Sequence, residues 1–526
     1  MNSNLSFHSL QWNACAVLHK RIKSFCEGYR QNVALVGKDR EGIHYLLEHY
    51  VLPRRYQGLV YICVDASYSE QYDIFRNIAY SLLSQLSGKE DTLDALIQDA
   101  DREGKLAQTT AQIKDILKRK KCTAKDLTNL LTSFIEESSS RCILIVEEFS
   151  AMAEIFGDFF DELAKFILLQ KMCMVVLTSS RMKEAERILG AELNLLFGNF
   201  EVVNMEKVSL IDGYLYFTDC IKPLTIPHYC IAFFVHLVQS NMAYYPAFTA
   251  KVKNTSVSDY EEMMRSVICD TLYERDSVFF QKFSNRIDIL KEKYPRDFRG
   301  LLKILALMSK GYIRKHDLVF FSGQEKRKCV GNLSKLLEPG YIEACGNIYR
   351  ITDSLFSFWL AHIFPLYLSC HRLDKEKRLH YFESAVNEEL LIFKEDFYKG
   401  RIQRILELFS LFKNDTVTMD TQKIKFPLLR RTKLVNYPQE KLDLLVGEGD
   451  ELVFVGIKEE ETQDSDILNF LNKTDAVRTK NMKKIFISLG DMNASARLIA
   501  KESKVALWDR HELNTLFQIY NKPVLV

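Results

Sequence analysis

Val33-Ala34-Leu35-Val36-Gly37-Lys38-Asp39-Arg40-Glu41-Gly42-Ile43-His44-Tyr45-Leu46-Leu47 is the stretch on which the reading of this chain turns. Its first four residues form a short apolar run of buried-strand type, and Ile43 to Leu47 reads as the start of a helix. Two glycines stand between them at the spacing of the phosphate-binding pattern GxxxxGK[ST], which joins a strand to a helix. The lysine position of that pattern holds Ile43, and the Ser/Thr position holds His44. A lysine there neutralises the β- and γ-phosphates, and the hydroxyl holds Mg²⁺. Isoleucine does neither, and Lys38 sits too near the start of the loop to replace the lysine. The stretch predicts the frame of a nucleotide-binding domain without its charge chemistry. ATP, if bound, would rest on backbone amides between Gly37 and Gly42 and on the helix dipole.

The flanking two hundred residues alternate strands and helices. Apolar spacing predicts helices over Trp12–Phe25 and Gln71–Leu86, and solvent-exposed helices within the polar section Lys89–Lys125. Strands are predicted at Leu59–Val64, Cys142–Val146, Met172–Leu177 and Phe200–Val203. Such alternation implies a parallel sheet covered on both faces, and ligands of such sheets bind at the carboxyl ends of the strands. Three segments converge there: Gly37–Gly42, Glu147-Glu148 and Thr178-Ser179-Ser180. Glu147 is placed to hold Mg²⁺, Glu148 to polarise an attacking water, and Thr178 to sense a γ-phosphate. Acids and hydroxyls at strand ends also serve as ordinary helix caps.

Composition narrows the class. A chain of 526 residues with 47% hydrophobic residues has room for three or four packed domains. The net charge of +2 gives the whole chain no drive toward nucleic acid or membrane, so any basic surface must be local. Twelve cysteines are scattered without a CxxC, which argues for reduced thiols in a cytoplasmic compartment and against a zinc site. The N-terminal segment lacks the layout of a signal peptide. The longest apolar stretch, Phe356–Cys370, is interrupted by His362 and Pro365, so no membrane span is expected.

Past residue 210 the pattern turns helical. Arg299–Lys310, Ile313–Phe320 and Glu325–Leu337 read as three helices, followed by a hairpin over Tyr341–Ala344 and Ile348–Ile351. Three helices and a hairpin make a winged helix. Its second helix carries Arg314, Lys315 and His316, and its third carries Lys326, Arg327, Lys328 and Lys335. These bases are candidate phosphate contacts to double-stranded DNA; a packing module with a solvated basic face is the other reading.

At Tyr349-Arg350-Ile351-Thr352-Asp353 followed by Phe356-Ser357-Phe358-Trp359 and Pro365, the chain resembles the archaeal-type ATPase family, P-loop proteins of the AAA+/STAND group. The resemblance implies a P-loop domain, a helical lid, a winged helix and often a C-terminal nuclease-like domain, with ATP and Mg²⁺ as cofactors. Arg40, Asp65 and Glu148-Phe149 also fit the family. Ile43, His44, Glu147 and Asn241-Met242 depart from it.

The C-terminal part is predicted as helix over Glu389–Leu411, then strands at Lys441–Val446, Leu452–Ile457, Lys484–Ser488 and Val505–Trp508 with intervening helices. The pattern resembles PD-(D/E)xK restriction-endonuclease-like domains, and the closing segment resembles the end of the methylated-DNA restriction-type nuclease domain. That resemblance implies Asp443 as metal ligand and Lys458 as catalytic lysine, on facing strands around one pocket. Gly456 stands where the family has its second acid, and one carboxylate binds a hard cation weakly.

The expected fold class is α/β, with a degenerate P-loop ATPase domain over 1–210, a helical lid over 211–294, a winged helix over 295–370 and a restriction-endonuclease-like α/β domain over 371–526. Each expected active site lacks a charged residue that its chemistry requires. The functional expectation is a scaffold or an adaptor for nucleic acid or protein. The alternatives are an ATP-dependent DNA-processing or defence enzyme with rearranged ligands, and a nucleotide-sensing switch that binds without hydrolysis.

Overall fold

A computed structural model describes residues 12–525 apart from 38, 55, 57, 68–69, 194–199, 206–209, 240, 256–258, 369–373, 420–421 and 476–481. The chain divides into two compact units, Met1–Cys220 with Ser240–Tyr245, and Ile221–Gln239 with Pro246–Val526.

The first unit is built on five parallel strands, β1 (Asn32–Gly37), β2 (Leu59–Asp65), β3 (Arg141–Glu147), β4 (Cys173–Ser179) and β5 (Phe200–Met205), in the order β2-β3-β4-β1-β5. β1 and β4 are buried along their whole length, as continuous apolar runs in a two-sided sheet should be. Helices α1 (Trp12–Cys26) and α2 (Arg40–Leu46), with the π-helical turn Leu47–Val51, cover one face through Leu18, Ile22, Ile43, Leu46 and Val51. Helices α3 (Gln71–Ser87), α4 (Leu93–Glu103), α5 (Ala107–Arg119), α6 (Ala124–Ser138), α7 (Met152–Ile155), α8 (Phe159–Leu169) and α9 (Met182–Arg187) belong to the core on the other face. The polar section after Lys89 is thus not merely solvent-exposed. Leu93, Leu96 and Ile97 of α4 and Ile113 and Ile116 of α5 are buried.

This topology fixes where a site can form. The connection from β1 crosses one face toward the β2 edge. The connection from β4 crosses the opposite face toward the β5 edge. Right-handed crossovers in opposite directions require opposite faces. β1 and β4 are neighbours, so a crevice opens at their carboxyl ends, the switch point where open α/β sheets take ligands.

Up to residue 368 the described part of the second unit is helical apart from one hairpin. It includes helices Phe298–Ser309, Lys315–Ser322 and Lys326–Leu337, then the antiparallel hairpin of β6 (Ile342–Cys345) and β7 (Ile348–Ile351). Helices Lys375–Tyr398 and Arg401–Ser410 follow, separated at Gly400 where one helix was expected. A hairpin of β8 (Asp415–Met419) and β9 (Gln422–Phe426) leads into a mixed sheet. That sheet comprises β10 (Leu429–Tyr437), β11 (Leu442–Gly449), β12 (Leu452–Lys458), β13 (Met482–Ser488) and β14 (Ala506–Trp508), in sequence order across the sheet. β10, β11 and β12 are antiparallel neighbours, and β12, β13 and β14 are parallel. The architecture is therefore α/β, with a P-loop-type parallel sheet, a helical middle and a C-terminal mixed sheet. No helix among the described residues is long and apolar enough to cross a membrane.

Candidate functional site

The loop after β1 is shorter than the spacing of its glycines suggests. α2 begins at Arg40, three residues before Ile43, and Asp39 is its N-cap. The Asp39 carboxylate accepts the N–H of Gly42 at 3.0 Å. A carboxylate of the chain itself thus lies on the positive end of the helix, where a phosphate would sit. Glu41 adds a second negative charge in the first turn and accepts the Asn241 side-chain amide at 2.6 Å. Both glycines have reasons internal to the fold. A Cβ on Gly42 would fall 2.5 Å from the Asp39 carboxylate, and a Cβ on Gly37 would fall 2.5 Å from the Met205 carbonyl oxygen on β5. Lys38 lies outside the described residues.

The two positions that depart from the motif make contacts within the fold. Ile43 is 2% exposed and joins the core under α2 with Val33 and Leu35. Expected beside a nucleotide, it is a core residue. His44 turns outward, and its Nδ1 lies 2.8 Å from Glu147 Oε2, with Glu48 3.6 Å from Nε2. The hydrogen bond to Glu147, with the charges of Glu147, Glu48 and Asp65, raises the imidazole pKa against the opposing effect of burial. Glu147, the expected Mg²⁺ ligand, is therefore held by His44. Arg40 pairs with Asp65 at 2.9 Å, and Asp65 also accepts the N–H and hydroxyl of Ser67 at 2.9 and 2.6 Å.

Glu148, expected to polarise a water, follows β3 in a left-handed conformation, with φ +50°, and is 6% exposed. Its Oε1 accepts the Ser180 N–H at 2.9 Å. Burial pushes its carboxyl pKa up, against the pull of Ser180 and the charges of Arg40 and Arg181. Strained, buried carboxylates at strand ends are found at functional sites. Thr178 is buried beside β1, aligned with Leu35, and Ser179 bonds the Ser150 hydroxyl at 3.1 Å. The sheet thus gathers Gly37, Arg40, Gly42, His44, Glu147, Glu148 and Thr178 at one edge. The residues present do not fit ATP·Mg²⁺ as they stand, because Asp39 lies over the helix end and His44 engages Glu147. Sequence reasoning missed Asp39 and Asn241. Asp39 carried a usable signal, an acid three residues before the helical amide it caps. Asn241 was visible only as a departure from the family pattern.

In the second unit, the expected DNA contacts divide. Arg314 is not a DNA contact in this arrangement. It forms a fork with both oxygens of the buried Asp415 at 2.8 Å and donates to the Leu411 carbonyl. Tyr520 donates to the same carboxylate at 2.8 Å. Together these bonds hold the Asp415 carboxyl pKa below its usual range despite burial. Lys335 is paired with Asp297, and Lys315 is half-buried. Lys326, Arg327 and Lys328 are exposed on the first turn of their helix.

The expected nuclease pair is not assembled. Asp443 is aligned with Ile457, so the strand alternation turns Lys458 to the opposite face from Asp443. Asp443 accepts the Asn436 amide at 2.7 Å. Lys458 is 7% exposed and donates to Asp466 at 2.8 Å and to the Glu440 carbonyl at 2.9 Å. Gly456 faces neither a gap nor a metal pocket. A Cβ there would meet Phe470 and Phe486 ring carbons at 2.8 Å. The position of the missing acid is filled by the aromatic core. Among the described residues no group of three or more His, Cys, Asp or Glu side chains is placed to hold a metal ion.

No protein-family model matches the chain, and no curated protein matches it. Solved structures do resemble it. A Walker-type ATPase of Pyrococcus abyssi, PABY2304, aligns at 15% identity with a TM-score of 0.44 over 66% of this chain and 94% of its own. The Aeropyrum pernix ORC2 protein, solved as ADPNP–ADP complexes, aligns at 9% identity with a TM-score of 0.39 over 72% of this chain and 93% of its own. The Aeropyrum pernix ORC1 protein, solved in complex with DNA, aligns at 11% identity with a TM-score of 0.36 over 67% and 91%. Likeness at this level assigns no role to any residue.

Proposed function

We propose that this chain is a scaffold on the frame of an archaeal-type ATPase, one that neither binds ATP·Mg²⁺ tightly nor hydrolyses it. The observation that carries the reading is the Asp39 carboxylate capping Gly42 at 3.0 Å. A phosphate entering there meets a negative charge already in place and must displace a satisfied bond. The His44–Glu147 pair supports the same reading at the metal position. A nucleotide-sensing switch would have to expel Asp39 first. A DNA-processing enzyme would need a phosphate site and a metal site, and the chain's own side chains engage both positions. The test is thermal unfolding with ATP·Mg²⁺. A ligand at a hundred times its Kd adds about 2.7 kcal/mol, so a saturable rise in Tm would remove the reading.

The adaptor part of the reading concerns DNA. Lys326, Arg327 and Lys328 are exposed together at the positive end of a helix, a local basic surface in a chain of balanced charge. They form the polynucleotide contact of this reading, while Arg314 and Lys335 serve packing.

A further inference from the structure

The hairpin that would act as a wing is already occupied. Its turn, Gly346-Asn347, lies on β8. Asn347 N–H donates to the Thr416 carbonyl at 2.9 Å, and the Thr416 N–H donates to the Asn347 side chain at 2.8 Å. A Cβ on Gly346, which has φ +77°, would sit 1.9 Å from the Thr416 carbonyl oxygen. Arg314, beside the same turn, is locked to Asp415. A winged helix grips duplex DNA with a helix in the major groove and further contacts to the backbone alongside it. Here the hairpin turn and the arginine next to it are bound to the chain itself.

The rest of this surface has a different chemistry. Phe320 is 71% exposed and Phe321 45% exposed at the end of helix Lys315–Ser322. Their rings meet edge to face at 5.1 Å, and Phe321 lies 4.5 Å from the Tyr312 ring. The row of rings ends at Gly323, where the Lys303 ammonium lies 3.7 Å from a Cβ built on the glycine. Lys326, Arg327 and Lys328 begin the next helix, three residues on. The acids of this turn are Asp317 and Glu325. The segment thus joins an exposed aromatic ring to three exposed cations within nine residues of chain, with Lys303 beside the intervening glycine. Proteins that hold unpaired strands use this combination: a base stacks on the ring and the lysines track the phosphates. Duplex bases are already stacked and offer a ring no face.

Resting on the proposal that the basic helix contacts nucleic acid, we propose that the surface of Phe320, Phe321, Lys303, Lys326, Arg327 and Lys328 binds single-stranded rather than double-stranded polynucleotide, with Phe320 as the stacking platform. The test is fluorescence anisotropy of the full chain with labelled oligo-dT and oligo-U of about 20 nucleotides and a duplex of the same length, at about 50 and 200 mM salt. The single strands should bind more tightly than the duplex, and the two oligomers distinguish DNA from RNA as the source. Phe320→Ala should weaken single-strand binding about tenfold, leave its salt slope unchanged, and be rescued by Phe320→Trp. Replacing Lys326, Arg327 and Lys328 with Ala should reduce the slope by about 2, since each phosphate contact contributes about 0.7. Duplex binding as tight as single-strand binding, or an unchanged affinity in Phe320→Ala, would overturn the single-strand assignment and leave the basic interface standing. Binding of neither at low salt would overturn both.

Discussion

Asp39, Ile43 and His44 each occupy a place that a nucleotide site requires for something else. Asp39 supplies the negative charge that α2 would otherwise draw from a phosphate. Ile43 is packed under the helix, so a lysine there would not simply supply a cation to the loop. Ile43→Lys would bury an ammonium among Val33, Leu35 and Met205. It is expected to destabilise the fold by about 3 kcal/mol or more, measured by urea denaturation, rather than create ATP affinity. His44 makes a pH-dependent contribution. Its pKa is raised in the folded chain, chiefly by the hydrogen bond to Glu147. Its stabilising contribution is therefore fully present below the unfolded histidine value of about 6.5 and is lost as pH rises through the raised folded value. Unfolding free energy measured from pH 6 to pH 8.5 should fall more steeply in the native chain than in His44→Gln. Parallel curves would show that the pair contributes nothing. The glycine spacing and the missing lysine were legible in the sequence. The side-chain bonds were not, because they depend on how early α2 begins, and only Asp39 among the residues near that boundary marks it as a cap.

Elements that carry a continuous apolar run or a helical apolar face were legible in the sequence. Strands β1 and β4 of the first unit are such runs, buried along their whole length. β8, β9 and β10 carry no such run. β8 and β9 alternate with threonines and lysines, and five consecutive residues of β10, Arg430 to Leu434, are exposed at the sheet edge. The C-terminal strands β11 and β12 were read correctly as a hairpin, but the register undid the pocket expected between them. A one-residue difference in alignment sends a side chain to the other face. Lys458 consequently pairs with Asp466 from the helix Asp464–Asp475 instead of with Asp443. Both partners are about nine-tenths buried or more, so removing one strands the other's charge. Asp466→Ala is expected to cost about 3–5 kcal/mol in chemical denaturation, while Lys458→Met with Asp466→Leu should recover much of that loss. Asp443→Ala should change stability little. Magnesium-dependent plasmid cleavage that Asp443→Ala abolishes would contradict this account of the domain.

Across the molecule, the two expected sites have the same character: neighbouring residues engage the positions where reactive groups were expected. In the first unit, a cap and an ion pair engage the expected phosphate and metal positions. In the second, an aromatic core stands at the position expected to hold an acid, and the expected lysine is held in a buried salt bridge. Installing the expected groups by single substitution is therefore costly. Gly456→Glu, for instance, would drive a carboxylate into Phe470 and Phe486. The overall fold class could be read from the order of strands and helices, since each run carries its own period. The chemistry could be read only as a set of absences, because the sequence does not reveal which neighbour fills a vacated position. The most direct test of the central claim is calorimetric titration of the full chain with ATP·Mg²⁺, alongside the Asp39→Ala variant. The account predicts no measurable binding to the native chain at millimolar nucleotide, and a gain of phosphate-dependent affinity when the Asp39 carboxylate is removed. Saturable micromolar binding to the native chain that is unaffected by Asp39→Ala would contradict it.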